Sequence, residues 1–319
     1  MTSTGHKVKT VLGSMATERG VELFTRAILP EAHTDESEYG HICVMLHGYG
    51  DHSGEPFSLV AGAIVESGVP CFALDHMGFG QSGGVFGAVP SMDVLADDVR
   101  EFAGKMCAKY GVGAETRVVV YGESMGGALA ILVARPPQLS FGKLDGVVLS
   151  APMIKIDDSL RPPAWQIAVL RKMKYFMPNA AVVPTDDGPT LIAKCCKNEE
   201  LRKVMLEDKR RYKGKVRICT ADEFLRVTDL IQAEMDKFDV PFLILHGSDD
   251  VVTSPEFSQQ FYDRTASTDK RIHVYEGMWH ALSGEPDRER VWADIVAWIH
   301  RHGGNAPPAA ATASGAAEA

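Results

Sequence analysis

Short apolar runs rich in β-branched residues recur along the chain, separated by longer stretches with a helical period. Residues 41–46, 71–74, 117–121, 146–149, 241–245 and 271–275 predict strands. Residues 57–66, 92–110, 125–134, 255–264 and 289–300 predict helices. Strands apolar throughout, with helices between them, predict an α/β fold whose mostly parallel sheet is covered on both faces. Residues 21–29 are expected as an antiparallel edge strand. In such sheets ligands bind beyond the C-terminal strand ends, so the residues just after each strand are where chemistry is expected.

The alternation breaks between residues 153 and 235, a helical, proline-punctuated stretch with no strand pattern. It reads as an inserted cap at 153–235 between two parts of one core, 1–152 and 236–302. Residues 303–319, rich in Ala, Pro and Gly, read as a disordered tail.

Composition narrows the field. The 319 residues are 45% hydrophobic and 24% charged, which excludes a disordered or collagen-like chain. With 33 Lys and Arg against 42 Asp and Glu the net charge is −9, which argues against nucleic acid as a partner because neutralising phosphates needs a basic face. The charge is unevenly spread. Residues 155–217 hold 15 Lys and Arg against 8 Asp and Glu, a net of +7, leaving −16 for the remainder. The basic cap therefore remains a candidate for transient contact with an anionic lipid surface. No apolar run reaches the roughly 18 residues of a membrane-spanning helix, and the polar N-terminus lacks a signal-peptide core. The six cysteines show no metal-ligand spacing, and there is no Asn-x-Ser/Thr acceptor. The expectation is a reducing, cytoplasmic location, with peripheral contact at membranes or lipid droplets.

Two segments match G-x-S-x-G, so the pattern alone decides nothing. Gly80-Gln81-Ser82-Gly83-Gly84 continues into Val-Phe-Gly, a poor helix start. Gly122-Glu123-Ser124-Met125-Gly126 follows a predicted strand and opens an apolar helix, the strand–turn–helix of a nucleophile elbow. Its crowded turn needs tiny residues two before and two after the serine, which Gly122 and Gly126 supply. Ser124 is the candidate nucleophile.

Acyl transfer needs two backbone N–H groups aimed at the developing oxyanion. Met125, after the nucleophile, supplies one. The loop His47-Gly48-Tyr49-Gly50-Asp51-His52-Ser53 follows an earlier strand, and Tyr49 is placed to supply the other. His47, Asp51 and His52 could also be read as metal ligands, but they lie on an irregular loop without an H-E-x-x-H spacing. A serine also needs a base and an orienting acid, in chain order Ser, Asp/Glu, His. After the strand at 241–245 comes His246-Gly247-Ser248-Asp249-Asp250. Asp250 is preferred as the acid, with Asp249 the alternative. After the last strand, Glu276-Gly277-Met278-Trp279-His280 offers His280 as base. His273 lies inside a strand, His300 and His302 are expected as solvated charges at a helix end, and His246 is expected to hold the acid loop.

These segments, with Asp75-His76-Met77-Gly78-Phe79-Gly80-Gln81-Ser82, resemble the monoacylglycerol lipase-like branch of the α/β-hydrolases. That branch includes lysophospholipase-like proteins and plant caffeoylshikimate esterases. The resemblance spans about residues 20–301. It implies an α/β-hydrolase fold with an inserted helical cap, a Ser124–Asp250–His280 triad, an oxyanion hole at Tyr49 and Met125, no metal or organic cofactor, and a lipid ester substrate. It also implies that the segment at 75–82 is structural. Two features depart from the animal members: Tyr49 stands where they often carry a small residue, and residues 212–230 look more like the plant members.

In the cap, Leu160-Arg161-Pro162-Pro163 reads as a helix start with proline near its first position. Trp165, Val169, Met173 and Phe176 then fall within about 80° of one another on a helix, with Arg171 and Lys174 opposite. Such a helix either packs its apolar face over the core or acts as a lid lining an acyl tunnel, and one helix can do both. The expected activity is hydrolysis of a carboxylic ester with one long acyl chain, foremost a monoacylglycerol. A lysophospholipid or a hydroxycinnamoyl ester is the alternative substrate, and a non-catalytic ligand receptor on the same fold is a remoter one.

Overall fold

A computed structural model describes residues 8–31, 39–110, 113, 115–136 and 143–302. Its sheet has eight strands in the order β1 (Val8–Ala16), β2 (Glu22–Pro30), β4 (Cys71–Leu74), β3 (His41–Leu46), β5 (Arg117–Glu123), β6 (Lys143–Ser150), β7 (Phe242–Gly247), β8 (Lys270–Tyr275). From β4 to β8 every pairing is parallel, while β1–β2 and β2–β4 are antiparallel. The helices are α1 (Ser58–Glu66), α2 (Met92–Lys109), α3 (Met125–Ala134), α4 (Ala164–Phe176), α5 (Gly188–Cys195), α6 (Glu199–Glu207), α7 (Ile218–Glu234), α8 (Pro255–Arg264) and α9 (Arg288–His302).

The period of two along each strand divides the core between the two sheet faces. Ile42, Val44 and Leu46 of β3, with Val118 and Val120 of β5, pack on the face that α2 and α3 cover. Cys43, Met45, Val119 and Tyr121 point the other way, onto the face of α1 and α9. All nine are fully buried, and each aliphatic side chain so buried stabilises by roughly 1.5–3 kcal/mol. Burial on both faces is why these strands read as continuous apolar runs.

The strand at Glu22–Pro30 is antiparallel as expected, but it is not the edge. β1 pairs with it over nine residues, from Val8 opposite Pro30 to Ala16 opposite Glu22, and takes the edge position. β1 escaped the apolar pattern because Met15 is its one buried residue. Among the described residues no strand lies between β6 and β7; the chain there forms α4 to α7. α4 begins at Ala164, with Pro163 as its N-cap rather than its first residue. Residues 303–319 lie outside the described residues, and no helix among the described residues is long and apolar enough to cross a membrane.

Backbone packs closely on backbone where β5 turns into α3. A Cβ built on Gly122 would sit 2.1 Å from the Gly126 carbonyl oxygen, and one on Gly126 would sit 2.1 Å from the Leu46 carbonyl oxygen. Both obstacles are backbone, so neither can give way without moving β3 or α3. Gly126→Ala should therefore destabilise the protein by about 3 kcal/mol or more. Gly62→Ala in α1, where a Cβ meets nothing within 4 Å, should be neutral or stabilising by up to about 1 kcal/mol. Urea midpoints of the two variants check this pair.

Candidate active site

Ser124 stands between β5 and α3 with φ 56° and ψ −115°, a left-handed backbone for a residue with a Cβ. Such a conformation costs about 1–3 kcal/mol and persists only where the surroundings impose it. Here they do: the Ser124 N–H donates to the Ser150 carbonyl at 2.9 Å, and its own carbonyl accepts from Gly127 at 2.9 Å and Met153 at 3.0 Å. The other G-x-S-x-G serine is structural. Ser82 Oγ donates to the Asp75 carbonyl at 2.5 Å and accepts from the Phe24 N–H at 2.8 Å, tying its loop to β2.

Ser124, Met125, Gly48, Tyr49 and His280 line one cavity of about 790 Å³. The loop after β3 presses on the serine, since a Cβ on Gly48 would lie 3.3 Å from Ser124 Cβ. His280 Nδ1 lies 2.7 Å from Asp250 Oδ2. The partners of Asp250 saturate it: Oδ1 accepts the N–H groups of Val252 at 2.7 Å and Thr253 at 3.0 Å, and Oδ2 also meets His246 Nε2 at 3.0 Å and Thr253 Oγ1 at 2.9 Å. Asp249, the alternative acid, is exposed and bonds Ser248. His246, in β7, is held from behind by Ser258 at 2.8 Å.

Burial pushes the Asp250 carboxyl up, but the His280 charge and the hydrogen bonds of both histidines outweigh it and leave the group ionised far below the ordinary range. For His280, burial works to lower the pKa; the charge and hydrogen bond of Asp250, with the charge of Glu123, outweigh it and raise the imidazole above 6.5. Glu123, beside the serine on the cavity wall, is pushed up to about 7, first by burial and then by the Asp51 charge.

The other histidines weighed as bases lie elsewhere. His273 bonds Asp294. His300 and His302 correct the expectation of solvated charges: His300 is 7% exposed, and the His302 ring is held between the Trp298 carbonyl and Asp269. The last turn of α9 is covered because Trp298 sinks into the core and His302 stacks on it at 4.1 Å between ring centroids. The loop residues weighed as metal ligands are engaged within the protein. His47 Nε2 accepts the His76 N–H at 3.0 Å, His52 Nε2 lies 2.8 Å from Asp208, and Asp51 pairs with Arg211. Sequence reasoning gave no site role to Thr253, Glu123 or Arg211. Glu123 could have been singled out, being next to the serine in the motif; Arg211 lies 160 residues from Asp51 and carried no local signal.

Leu160, Trp165, Val169 and Met173, from α4 and its approach, line the same cavity, with Lys155, Arg161 and Gln166 among them. No α4 residue is buried. Trp165 is 67% exposed, and Tyr175 and Phe176 exceed 80%. Arg171 and Lys174 are not free cations; both pair with Asp222 of α7.

This arrangement agrees with what the chain is similar to. A family model described as Hydrolase_4, serine aminopeptidase S33, matches residues 37–287. A caffeoylshikimate esterase of Arabidopsis thaliana is 30% identical over 285 residues, 87% of this chain and 82% of its own. A monoacylglycerol lipase of Mycolicibacterium smegmatis is 26% identical over 280 residues, 86% of this chain and 93% of its own. The fold matches a solved soluble variant of monoglyceride lipase from Saccharomyces cerevisiae, in complex with a substrate analog, with a TM-score of 0.76 at 19% identity over 94% of this chain and 97% of that one. With a strained serine at a strand–helix turn inside the matched span, the chain belongs to the Hydrolase_4 family and is a serine hydrolase of the monoacylglycerol lipase-like α/β-hydrolases.

Proposed function

We propose that the protein hydrolyses carboxylic esters bearing one long acyl chain, foremost a monoacylglycerol, through an acyl-enzyme on Ser124. The observation that carries the reading is that Ser124 and the Asp250-bound His280 share one cavity with apolar side chains such as Leu160, Trp165, Val169 and Met173. Ser124 Oγ attacks the ester carbonyl while His280 Nε2 takes its proton. Asp250 holds the Nδ1–H, fixing the tautomer and stabilising the imidazolium. The oxyanion is received by the N–H groups of Tyr49 and Met125. The imidazolium then gives its proton to the leaving alcohol oxygen. Water, deprotonated by His280, attacks the acyl-enzyme and releases the fatty acid. No metal or organic cofactor takes part.

In this reading residues 153–235 form a cap and α4 its lid, the apolar face of which lines the acyl channel. The exposed Leu160, Trp165, Tyr175 and Phe176 support transient contact of the cap with a lipid surface, and so a cytoplasmic protein peripheral to membranes or lipid droplets. A second substrate reading, a hydroxycinnamoyl ester, rests on the 30% identity to the plant esterase. Ranking kcat/KM over glycerol, lysophospholipid and hydroxycinnamoyl esters separates these. A preference for short or aromatic acyl groups would sink the lipid reading.

Ser124→Ala should abolish ester turnover while leaving thermal stability within about 1 kcal/mol or improving it, because a strained serine is not kept for stability. Retained esterase activity would refute the acyl-enzyme. The base must be neutral to act, so kcat/KM should climb as pH rises through the His280 pKa, above 6.5. Asp250→Asn removes the charge that raises this pKa. The acid limb should then move to lower pH and kcat should fall by roughly 10³–10⁴-fold. An unmoved limb would show that another group controls it. On vesicles containing anionic lipid, cap docking should weaken as salt shortens the screening length; binding indifferent to salt would count against the basic residues, though not against the apolar ones.

A further inference from the structure

One short stretch between α6 and α7, residues 208–212, grips the loop that follows β3. The Arg211 guanidinium pairs with the Asp51 carboxylate, and these side chains are only 8% and 9% exposed. The Tyr212 N–H donates to the Gly50 carbonyl at 2.9 Å. His52 Nε2 lies 2.8 Å from Asp208 Oδ2. The Tyr212 ring meets that of Tyr49 edge-on, 6.0 Å between centroids.

The ends of the loop are fixed differently. His47 bonds the His76 N–H, and the Ser53 N–H donates to Asp75 at 2.7 Å, both within the core. The middle of the loop, which carries the Tyr49 N–H, is held at the Gly50 carbonyl and the Asp51 carboxylate by the stretch at 208–212. A backbone donor loses strength steeply as its angle departs from linear, so a loop freed at its middle would aim its N–H poorly.

We propose that Arg211 is a positioning residue for the oxyanion loop, its buried pair with Asp51 fixing where the Tyr49 N–H points. This rests on the oxyanion-hole reading above and extends it: residues 208–212 work as part of the catalytic body, and any moving lid lies before them, in α4 and its flanks. Arg211 also acts on a second carboxyl. Its charge opposes the pressure that Asp51 puts on Glu123, and removing one member of a buried pair leaves the other uncompensated.

The consequence is a specific kinetic signature. An oxyanion hole serves every acyl group alike, whereas a lid or an acyl-channel residue matters more as the chain lengthens. Arg211→Gln and Asp51→Asn should each lower kcat by about tenfold to hundredfold, by the same factor for p-nitrophenyl acetate and p-nitrophenyl decanoate. KM should stay within about twofold, and binding of a trifluoromethyl ketone, which mimics the oxyanion, should weaken in parallel. The double variant should lose less than the product of the two single losses, because both remove one interaction. Arg211→Lys, which keeps the charge, should recover part of the rate and covers the case in which Arg211→Gln does not fold, circular dichroism being the check. A loss confined to the decanoate, a rise in KM alone, or unchanged kcat in the folded variants would overturn the proposal. Wild-type turnover of both esters, and its loss in Ser124→Ala, tests the underlying reading separately.

Discussion

The placement of Ser124 and of the loop beside it depends on close approach between backbones. Gly126 lies so close to the Leu46 carbonyl, and Gly122 to the Gly126 carbonyl, that no side chain fits between them. This crowding locks the end of β3 against the start of α3, and the turn between β5 and α3 has no room to relax. Ser124 is forced into its left-handed conformation as a result. The loop leaving β3 necessarily begins against that serine. Ser124 and the loop after β3 are thus set by one packing event, on a parallel sheet buried on both faces.

Asp250 and His280 are positioned by a different kind of constraint. A buried carboxylate is costly unless its lone pairs are met. Asp250 is met by two backbone N–H groups, a threonine hydroxyl and two imidazoles. With so many partners the carboxylate cannot rotate, so His280 is oriented through a group that is itself immobile. The raised His280 pKa and the depressed Asp250 pKa are two aspects of this arrangement.

Much of this was legible from residue order. The central strands were visible because burial on both faces removes polar residues from them, and the elbow was visible because its glycines are sterically obligatory. β1 was not, since a strand exposed at the sheet edge has no apolar run to show. Among the histidines, position after a strand was enough to single out His280, but it could not show that His300 packs inside, because that depends on where the end of α9 docks. Thr253 and Arg211 were invisible for a related reason. Arg211 meets Asp51, 160 residues away, only in the fold, and although Thr253 bonds the nearby Asp250, its hydroxyl also bonds the Ala151 carbonyl, 102 residues away.

The helical segment between β6 and β7 is therefore better understood as two regions with opposite physics than as a single appendage. Toward its start, α4 buries none of its residues, and two of its three cations, Arg171 and Lys174, pair with Asp222 while Lys172 stays exposed. Toward its end, from Asp208 through α7, polar side chains enter the core: Glu223 accepts the Met92 N–H at 2.6 Å and Thr220 the Val89 N–H at 2.9 Å. Opening free energies track burial and contact density, so α4 should open more readily than α7. The net +7 of residues 155–217 follows the same division. Arg211 within it is consumed in holding the loop at Asp51, and Arg210 in its bond to Asp208. The charge that looked like one basic surface in the sequence is partly internal, and the exposed face of α4 carries aromatic and aliphatic side chains beside Lys172.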